Sequence, residues 1–224
     1  MLKALCYSFF NRRTNNLANM PLYLTSIKEI VGAFSQGKIV CLPTDTVYAI
    51  SCDATNNKAI QRIYSIKNRA LNKPCPIFVS DINMAMKYVK FHSKELLFAK
   101  KFWAGPLTMI LQQVTSNNLP SVLIKNGKIG IRIPDKALIR EICANINKPI
   151  IATSANISSK PNINSMDGIE KEFGGKVDAI VTNDNNPQNL ITSTIVEFIN
   201  NDSYKIIREG RISKLELEKA LPRV

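Results

Sequence analysis

The sequence predicts an α/β fold: one domain on a twisted, mixed sheet flanked by helices. Three observations lead there. Short apolar runs that read as strands alternate with segments of helical periodicity along the chain. Hydrophobic residues make up 45% of 224, enough for one proper core. No apolar run reaches the roughly 18 residues that span a bilayer, so no membrane partner is expected.

The elements follow in order. "TSIKEIVGAFSQG" reads as a helix capped by Thr25 or Ser26 and closed at Gly37. "KIVCLPT" is a short buried strand ending at Pro43. In "NNKAIQRIYSIK", Ala59, Ile60, Ile63 and Tyr64 form the i, i+3, i+4 stripe of a half-buried helix. A strand over Pro76–Val79 and helices over Ile82–Val89 and Ser93–Phe102 come next. "LTMILQQV" and "KIGIRIP" read as strands, "KALIREICANI" as a helix, and "PIIATS" as one buried strand running into "SAN". Ser158–Gly168 is the most loop-like stretch. Strands over Val177–Val181, Ser193–Ile199 and Tyr204–Arg208 and a helix over Lys214–Leu221 complete the reading. There is no internal repeat and no long linker.

Composition narrows the function classes. The net charge of +13 favours a polyanionic partner such as nucleotide phosphates or RNA, although an abundance of lysine accounts for it equally well. The five cysteines (Cys6, Cys41, Cys52, Cys75, Cys143) are scattered, odd in number and without a Cys-x-x-Cys pair. That pattern suits reduced thiols and a cytoplasmic setting. The single histidine, His92, has no neighbouring ligand set, which argues against histidine-dependent hydrolysis and a zinc site. Residues 1–20 are basic, acid-free and poorly bounded for a signal peptide; they are taken as an extension, with residues 21–224 as the domain.

The polar clusters share one placement, each following a buried strand or a helix end, where ligand sites collect in sheet proteins. They are "PTDT" (43–46), "KNR" (67–69), "TSAN" (153–156), "TST" (192–194) and "REGR" (208–211). Lys67 lies seven residues after Ile60, on the buried stripe of its helix, and a lysine there needs something to point at. Singly, each cluster also fits cap and turn chemistry.

Together, in this order and spacing, they resemble the YrdC family of threonylcarbamoyl-AMP synthases. The matching pieces are "PTDTVY", "IYSIKNR" as a Lys-x-Arg, "FWAGPLT", "GIRIP", "TSANIS" as a Ser-x-Asn, "STIVEF" and "IIREG", from about Ile27 to about Ile212. The resemblance implies an α/β fold with a basic concave cavity. It also implies a reaction joining L-threonine, bicarbonate and ATP into threonylcarbamoyl-AMP, with pyrophosphate released. That intermediate serves threonylcarbamoyladenosine modification of tRNA. Carried over residue by residue, Lys67, Arg69, Ser154 and Asn156 would line the nucleotide pocket, with Thr108 and Arg208 as further ATP contacts. Thr46 and Ser193 would contact threonine, and Lys67 and Arg69 would act catalytically on the phosphates. Mg2+ would arrive with ATP, with no metal held by the protein itself; Asp45 and Asp53 read as structural. A downstream tRNA threonylcarbamoyl transferase complex, and tRNA or double-stranded RNA, are the expected partners. The chain would be of the short type, without the C-terminal domain of longer members. It departs from the pattern at Ala49 and Ser159, where the family usually has glycine, and at Ala104, where it usually has proline.

Two other readings compete. One is an RNA-binding module without adenylation chemistry of its own, motivated by the charge. The other is a carbamoyl-adenylating relative using carbamoyl phosphate, of a kind that sits inside larger chains.

Overall fold

The alternation of strand and helix is realised as two sheets, where the sequence suggested one. The computed structural model describes residues 20–116, 118–182, 191–199 and 203–220. In chain order the elements are β1 (Leu22–Leu24), α1 (Ile27–Ser35), β2 (Val40–Leu42), β3 (Ala49–Ser51), α2 (Asn57–Ile66), β4 (Ile77–Phe78), α3 (Ile82–Met86), α4 (Ser93–Phe102) and β5 (Leu107–Gln112). There follow β6 (Lys128–Arg132), α5 (Ala137–Ile146), β7 (Ile150–Ile151), β8 (Thr153–Ser154), α6 (Met166–Phe173), β9 (Ala179–Val181), β10 (Thr194–Phe198), β11 (Tyr204–Arg208) and α7 (Lys214–Glu218). Cys6 and the extension expected over residues 1–20 fall, apart from Met20, outside the described residues, as does Leu221 at the end of the last helix.

One sheet runs β1-β9-β2-β3-β8 and the other β11-β10-β5-β6-β4-β7, both mixed. The "PIIATS" run joins them. Its first half pairs antiparallel with β4 in the second sheet, its last two residues with β3 in the first. Ile151 N–H also donates to Cys52 O (2.9 Å) while Ala152 N–H donates to Pro76 O (2.8 Å), one bond to each side. An apolar run looks the same whether it serves one sheet or passes between two, so the sequence reads it as a single strand.

The helices form for the reasons their sequences suggest. Ser26 caps α1 with a capping box to Glu29, and Asn56 caps α2 by accepting from Ala59 N–H (3.1 Å). The faces they bury are Ile30, Ala33 and Phe34 in α1, and Ala59, Ile60, Ile63 and Tyr64 in α2. α1 packs against α5, whose Ile139, Ile142 and Cys143 are buried. Each fully buried aliphatic of this kind contributes about 1.5–3 kcal/mol relative to exposure. Three elements have no counterpart in the sequence reading. β1 and β3 are three residues each, too short for a period, and the sequence does not set them off as apolar runs of their own. α6 starts at Met166, inside the stretch read as loop, with Ser165 as its cap. The helix expected over 82–89 stops at Met86.

Candidate active site

Sheet ends and one helix end meet around a cleft of ≈ 680 Å³. β3 and the "PTDT" loop before it supply Thr44, Thr46 and Ala49; β5 supplies Thr108; β6 supplies Arg132. β8 supplies Ser154, the residues just before β10 are Thr192 and Ser193, and the end of β11 supplies Arg208. Arg69, just past α2, closes the rim. A second cleft of ≈ 1060 Å³ shares Arg69, Pro74, Pro76, Thr108 and Ile195 with the first. It adds Lys73, Lys125 and Lys128 along with the apolar Ile110 and Ile207. The two clefts are thus adjoining compartments of one groove, with Arg69 and Thr108 at the boundary.

Arg132 is the most constrained cation in the groove, with 3% of its surface exposed. Its Nη2 donates to Asp45 Oδ2 (2.5 Å), its Nη1 to Thr46 Oγ1 (3.2 Å) and its Nε to Gly105 O (2.9 Å). The guanidinium carbon also lies 5.6 Å from the Phe78 ring centroid. Three of five N–H groups are therefore committed, and two remain for a ligand. Burial lowers its pKa, and the Asp45 carboxylate opposes that shift. Asp45 in turn is 2% exposed, and its Oδ1 has no hydrogen-bond partner.

Arg208 Nε and Nη2 hold Ser193 O (3.1 and 2.7 Å), and Nη2 reaches Ser193 Oγ (3.2 Å). Ser193 Oγ lies 2.9 Å from Thr108 Oγ1. Partial burial lowers the Arg208 pKa, followed by the positive charges of Arg132 and Arg69. Three guanidinium groups therefore feel one another across a single recess. Such a cluster is electrostatically unfavourable until an anion enters it. Gly210 makes the arrangement possible, because a Cβ there would sit 2.3 Å from Thr192 O and 2.7 Å from Ser193 O. The loop after β11 lies against that backbone, with Gly210 and Ile212 N–H donating to Thr194 Oγ1 (2.9 and 3.0 Å).

Arg69 Nε donates to Lys73 O (2.7 Å) and Nη2 to Pro74 O (2.9 Å), leaving Nη1 for the groove. Lys67 behaves differently. It is the C-cap residue of α2 and 1% exposed. Its Nζ donates to Ser154 O, to Asn156 O (2.6 Å) and to Asn156 Oδ1 (3.2 Å). Burial pulls its pKa down to about 8, with Arg69 adding to that shift and the Cys75 and Cys41 thiols opposing it.

Of the eight residues the sequence singled out, Arg69, Thr108, Ser154, Arg208, Thr46 and Ser193 line the first cleft; Lys67 and Asn156 stand behind Ser154. The lysine on the buried stripe does have a target, which is the backbone of a loop and not open cavity. Sequence reading quoted "GIRIP" but gave Arg132 no role, and it took Asp45 as structural. The signal was present: an arginine inside an apolar strand needs a partner, and β6 puts Lys128, Gly130 and Arg132 on one face. Among the described residues no group of three or more His, Cys, Asp or Glu is placed to hold a metal ion. Cys41, Cys52, Cys75 and Cys143 are buried free thiols. Burial pushes Cys41 up to about 12 and raises Cys52 and Cys143 further, so none of these three is a nucleophile near neutral pH. No helix among the described residues is long and apolar enough to cross a membrane.

Comparison with known proteins identifies the family. The Sua5/YciO/YrdC family, described as "Telomere recombination", matches residues 32–210. A Methanocaldococcus jannaschii protein, provisionally named a threonylcarbamoyl-AMP synthase, is 41% identical over 79% of this chain and 81% of its own length. Threonylcarbamoyl-AMP synthases of Pyrococcus abyssi and Bacillus subtilis are 29% and 28% identical over 87% of the chain, which spans 57% and 56% of their lengths. The crystal structure of P. abyssi Sua5 complexed with L-threonine superposes with a TM-score of 0.80 at 27% identity, over 91% of this chain and 61% of that one. The E. coli YciO structure, at 19% identity and a TM-score of 0.73, shares the fold. The chain belongs to the Sua5/YciO/YrdC family.

Proposed function

We propose that the protein is an L-threonylcarbamoyladenylate synthase. It would make threonylcarbamoyl-AMP and pyrophosphate from L-threonine, bicarbonate and ATP, for threonylcarbamoyladenosine modification of tRNA. The observation that carries this is the convergence of Arg69, Arg132 and Arg208 on one cleft whose remaining polar side chains are all hydroxyls, Thr44, Thr46, Thr108, Ser154 and Ser193 among them. The names of the relatives and the threonine in the Pyrococcus complex support it.

The reaction needs no protein nucleophile. The threonine amine takes up carbon dioxide from bicarbonate, losing water, to give a carbamate. A carbamate oxygen then attacks the α-phosphorus of ATP in line, and pyrophosphate departs. The barrier is largely the approach of an anion to a polyanion, so fixed cations that hold both in register lower it. Arg132, with two N–H groups to spare beside Thr46, is suited to the threonine carboxylate as a forked donor. Ser193 and Thr46 would complete that subsite. Arg69 and Arg208 would neutralise charge as it redistributes on the phosphates, and the nucleotide would extend into the second compartment, lined by Lys73, Lys125 and Lys128. Mg2+ would enter with ATP as part of the substrate and supply neutralisation of phosphate charge.

The product is a mixed anhydride, which calls for hand-over to a tRNA threonylcarbamoyl transferase. Direct contact with tRNA would use the basic excess, and four buried thiols suit a cytoplasmic site. Residues 21–224 would act as one unit preceded by an extension.

The test is pyrophosphate release from purified protein with ATP and Mg2+. Release is expected only when threonine and bicarbonate are both present. Release without threonine would remove the assignment. No release, together with salt-sensitive tRNA binding, would favour the RNA-binding module that the net charge of +13 also suits.

A further inference from the structure

Lys67 lines neither compartment. An ammonium group has three N–H donors, and here Ser154 O, Asn156 O and Asn156 Oδ1 take all three. None is left for a phosphate oxygen. Asn156 Oδ1 has a second neighbour, Ser154 Oγ, at 2.7 Å. A carbonyl oxygen carries no proton, so the serine hydroxyl must be the donor in that contact. The amide cannot be turned round, because Asn156 Nδ2 donates to Lys160 O (2.6 Å) and flipping it would set an NH2 against the ammonium and two oxygens against each other. The same loop is fixed by Ala155 N–H to Tyr48 O (2.7 Å) and by Ser158 N–H to Lys67 O (2.8 Å). Ser154, meanwhile, forms part of the wall of the first cleft. Its proton is spent on Asn156, so only lone pairs remain for a ligand.

We infer that Lys67 is a positioning residue: acting through Asn156, it makes Ser154 Oγ a hydrogen-bond acceptor at the cleft wall, suited to a hydroxyl donor of the substrates and unsuited to a phosphate oxygen. This rests on the proposed synthase reading for the identity of those substrates. The donor is a ribose hydroxyl of the nucleotide or the side-chain hydroxyl of the amino acid. The assignment also explains a lysine in a site already rich in guanidinium groups. A compact ammonium can gather three carbonyl oxygens at the end of a helix, which a planar fork does not do.

Calorimetric Kd values for Mg·ATP and for L-threonine, measured on wild type, Lys67→Met, Ser154→Ala and the double variant, test the inference. Each single change is expected to weaken one of the two ligands at least about tenfold. The double variant should bind that ligand no worse than Ser154→Ala alone, because the lysine acts through the serine. Analogues identify the donor. Wild type should disfavour 2′- or 3′-deoxy-ATP, or valine in place of threonine, and both single variants should lose that discrimination, which a merely structural lysine would not affect. Losses that multiply in the double variant, or discrimination that survives in Lys67→Met, overturn the inference. If Lys67→Met does not fold, Asn156→Ala breaks the same relay while leaving the lysine two of its carbonyl acceptors, and the cycle is run with it. Wild type that binds both ligands but releases no pyrophosphate would sink the synthase reading and leave this inference standing.

Discussion

Lys67 and Arg132 are both buried cations, and their burial is compensated differently. Arg132 faces a carboxylate, so its removal strands Asp45, whose other oxygen already lacks a partner. Breaking one side of a buried pair costs about 3–5 kcal/mol, whereas replacing both sides costs far less. Arg132→Leu is therefore expected to lower urea stability by that order, and Asp45→Asn with Arg132→Leu to recover about half of it; purely additive losses would show that the two are not coupled. Lys67 faces only carbonyl oxygens, so its charge carries a desolvation cost that pH can relieve. With a folded pKa of about 8 against 10.5 for a free lysine, the unfolded chain binds more protons between those values. The contribution of this residue to stability is therefore lowest below pH 8 and rises toward pH 10.5, by at most on the order of 3 kcal/mol. Subtracting the Lys67→Met curve from wild type isolates it. Synthase activity should move the opposite way, falling as pH rises through about 8, because a neutral amine cannot supply all three donors. A stability difference that is flat from pH 7 to 10 would mean the three carbonyl oxygens hold the proton through the range.

At the level of elements, what the sequence disclosed depended on length and on polarity. Helices α1, α2, α4 and α5 and strands β5, β6 and β11 were legible because each carries a full turn of apolar period or a sustained apolar run. β1, β3 and the division of "PIIATS" were not: strands this short hold no period, and β1 and β3 are not set off as separate apolar runs as the equally short β2 and β9 are. The site was legible where hydroxyls and cations punctuate strand ends. Arg132 escaped because it lies inside a strand, in a run that otherwise reads as core. The departures from the family pattern can be weighed the same way. Ala49 is in β3 opposite Ser154, buried with its side chain against the cleft, and fits there. Ala104 follows a cis peptide bond. Ser159 has φ 67°, in the left-handed region that glycine occupies without cost. Ser159→Gly should therefore stabilise by about 0.5–1 kcal/mol, a rise of about 1–4 °C in Tm for a chain of this size. No rise would mean that Ser159 makes compensating contacts in its own loop. Gly210→Ala, in contrast, should cost well over 1 kcal/mol and loosen Ser193 from Arg208, since the added carbon would meet carbonyl oxygens that belong to the site.

For the molecule as a whole, the groove accounts for only part of the charge. Setting aside Arg69, Arg132 and Arg208 of the first cleft and Lys73, Lys125 and Lys128 of the second still leaves an excess of seven of the thirteen positive charges. Arg132 and Arg208 in the groove are partly desolvated and act at short range, so salt screens them weakly. Those outside it are, among the described residues, mostly exposed lysines and act through a field that salt screens within about 10 Å at 0.1 M. Two ligands should therefore respond to ionic strength differently. Raising salt from 50 to 200 mM is expected to change the KM for ATP by less than about fivefold, while tRNA affinity falls about a hundredfold or more, as for a contact that displaces four or more counterions. Filter binding of unmodified tRNA beside the pyrophosphate assay, in the same buffers, reads both. A tRNA affinity that is absent at 50 mM, or that falls no more steeply than the ATP response, would assign the excess to composition alone and leave the adenylate to be handed over without the synthase ever gripping its eventual acceptor.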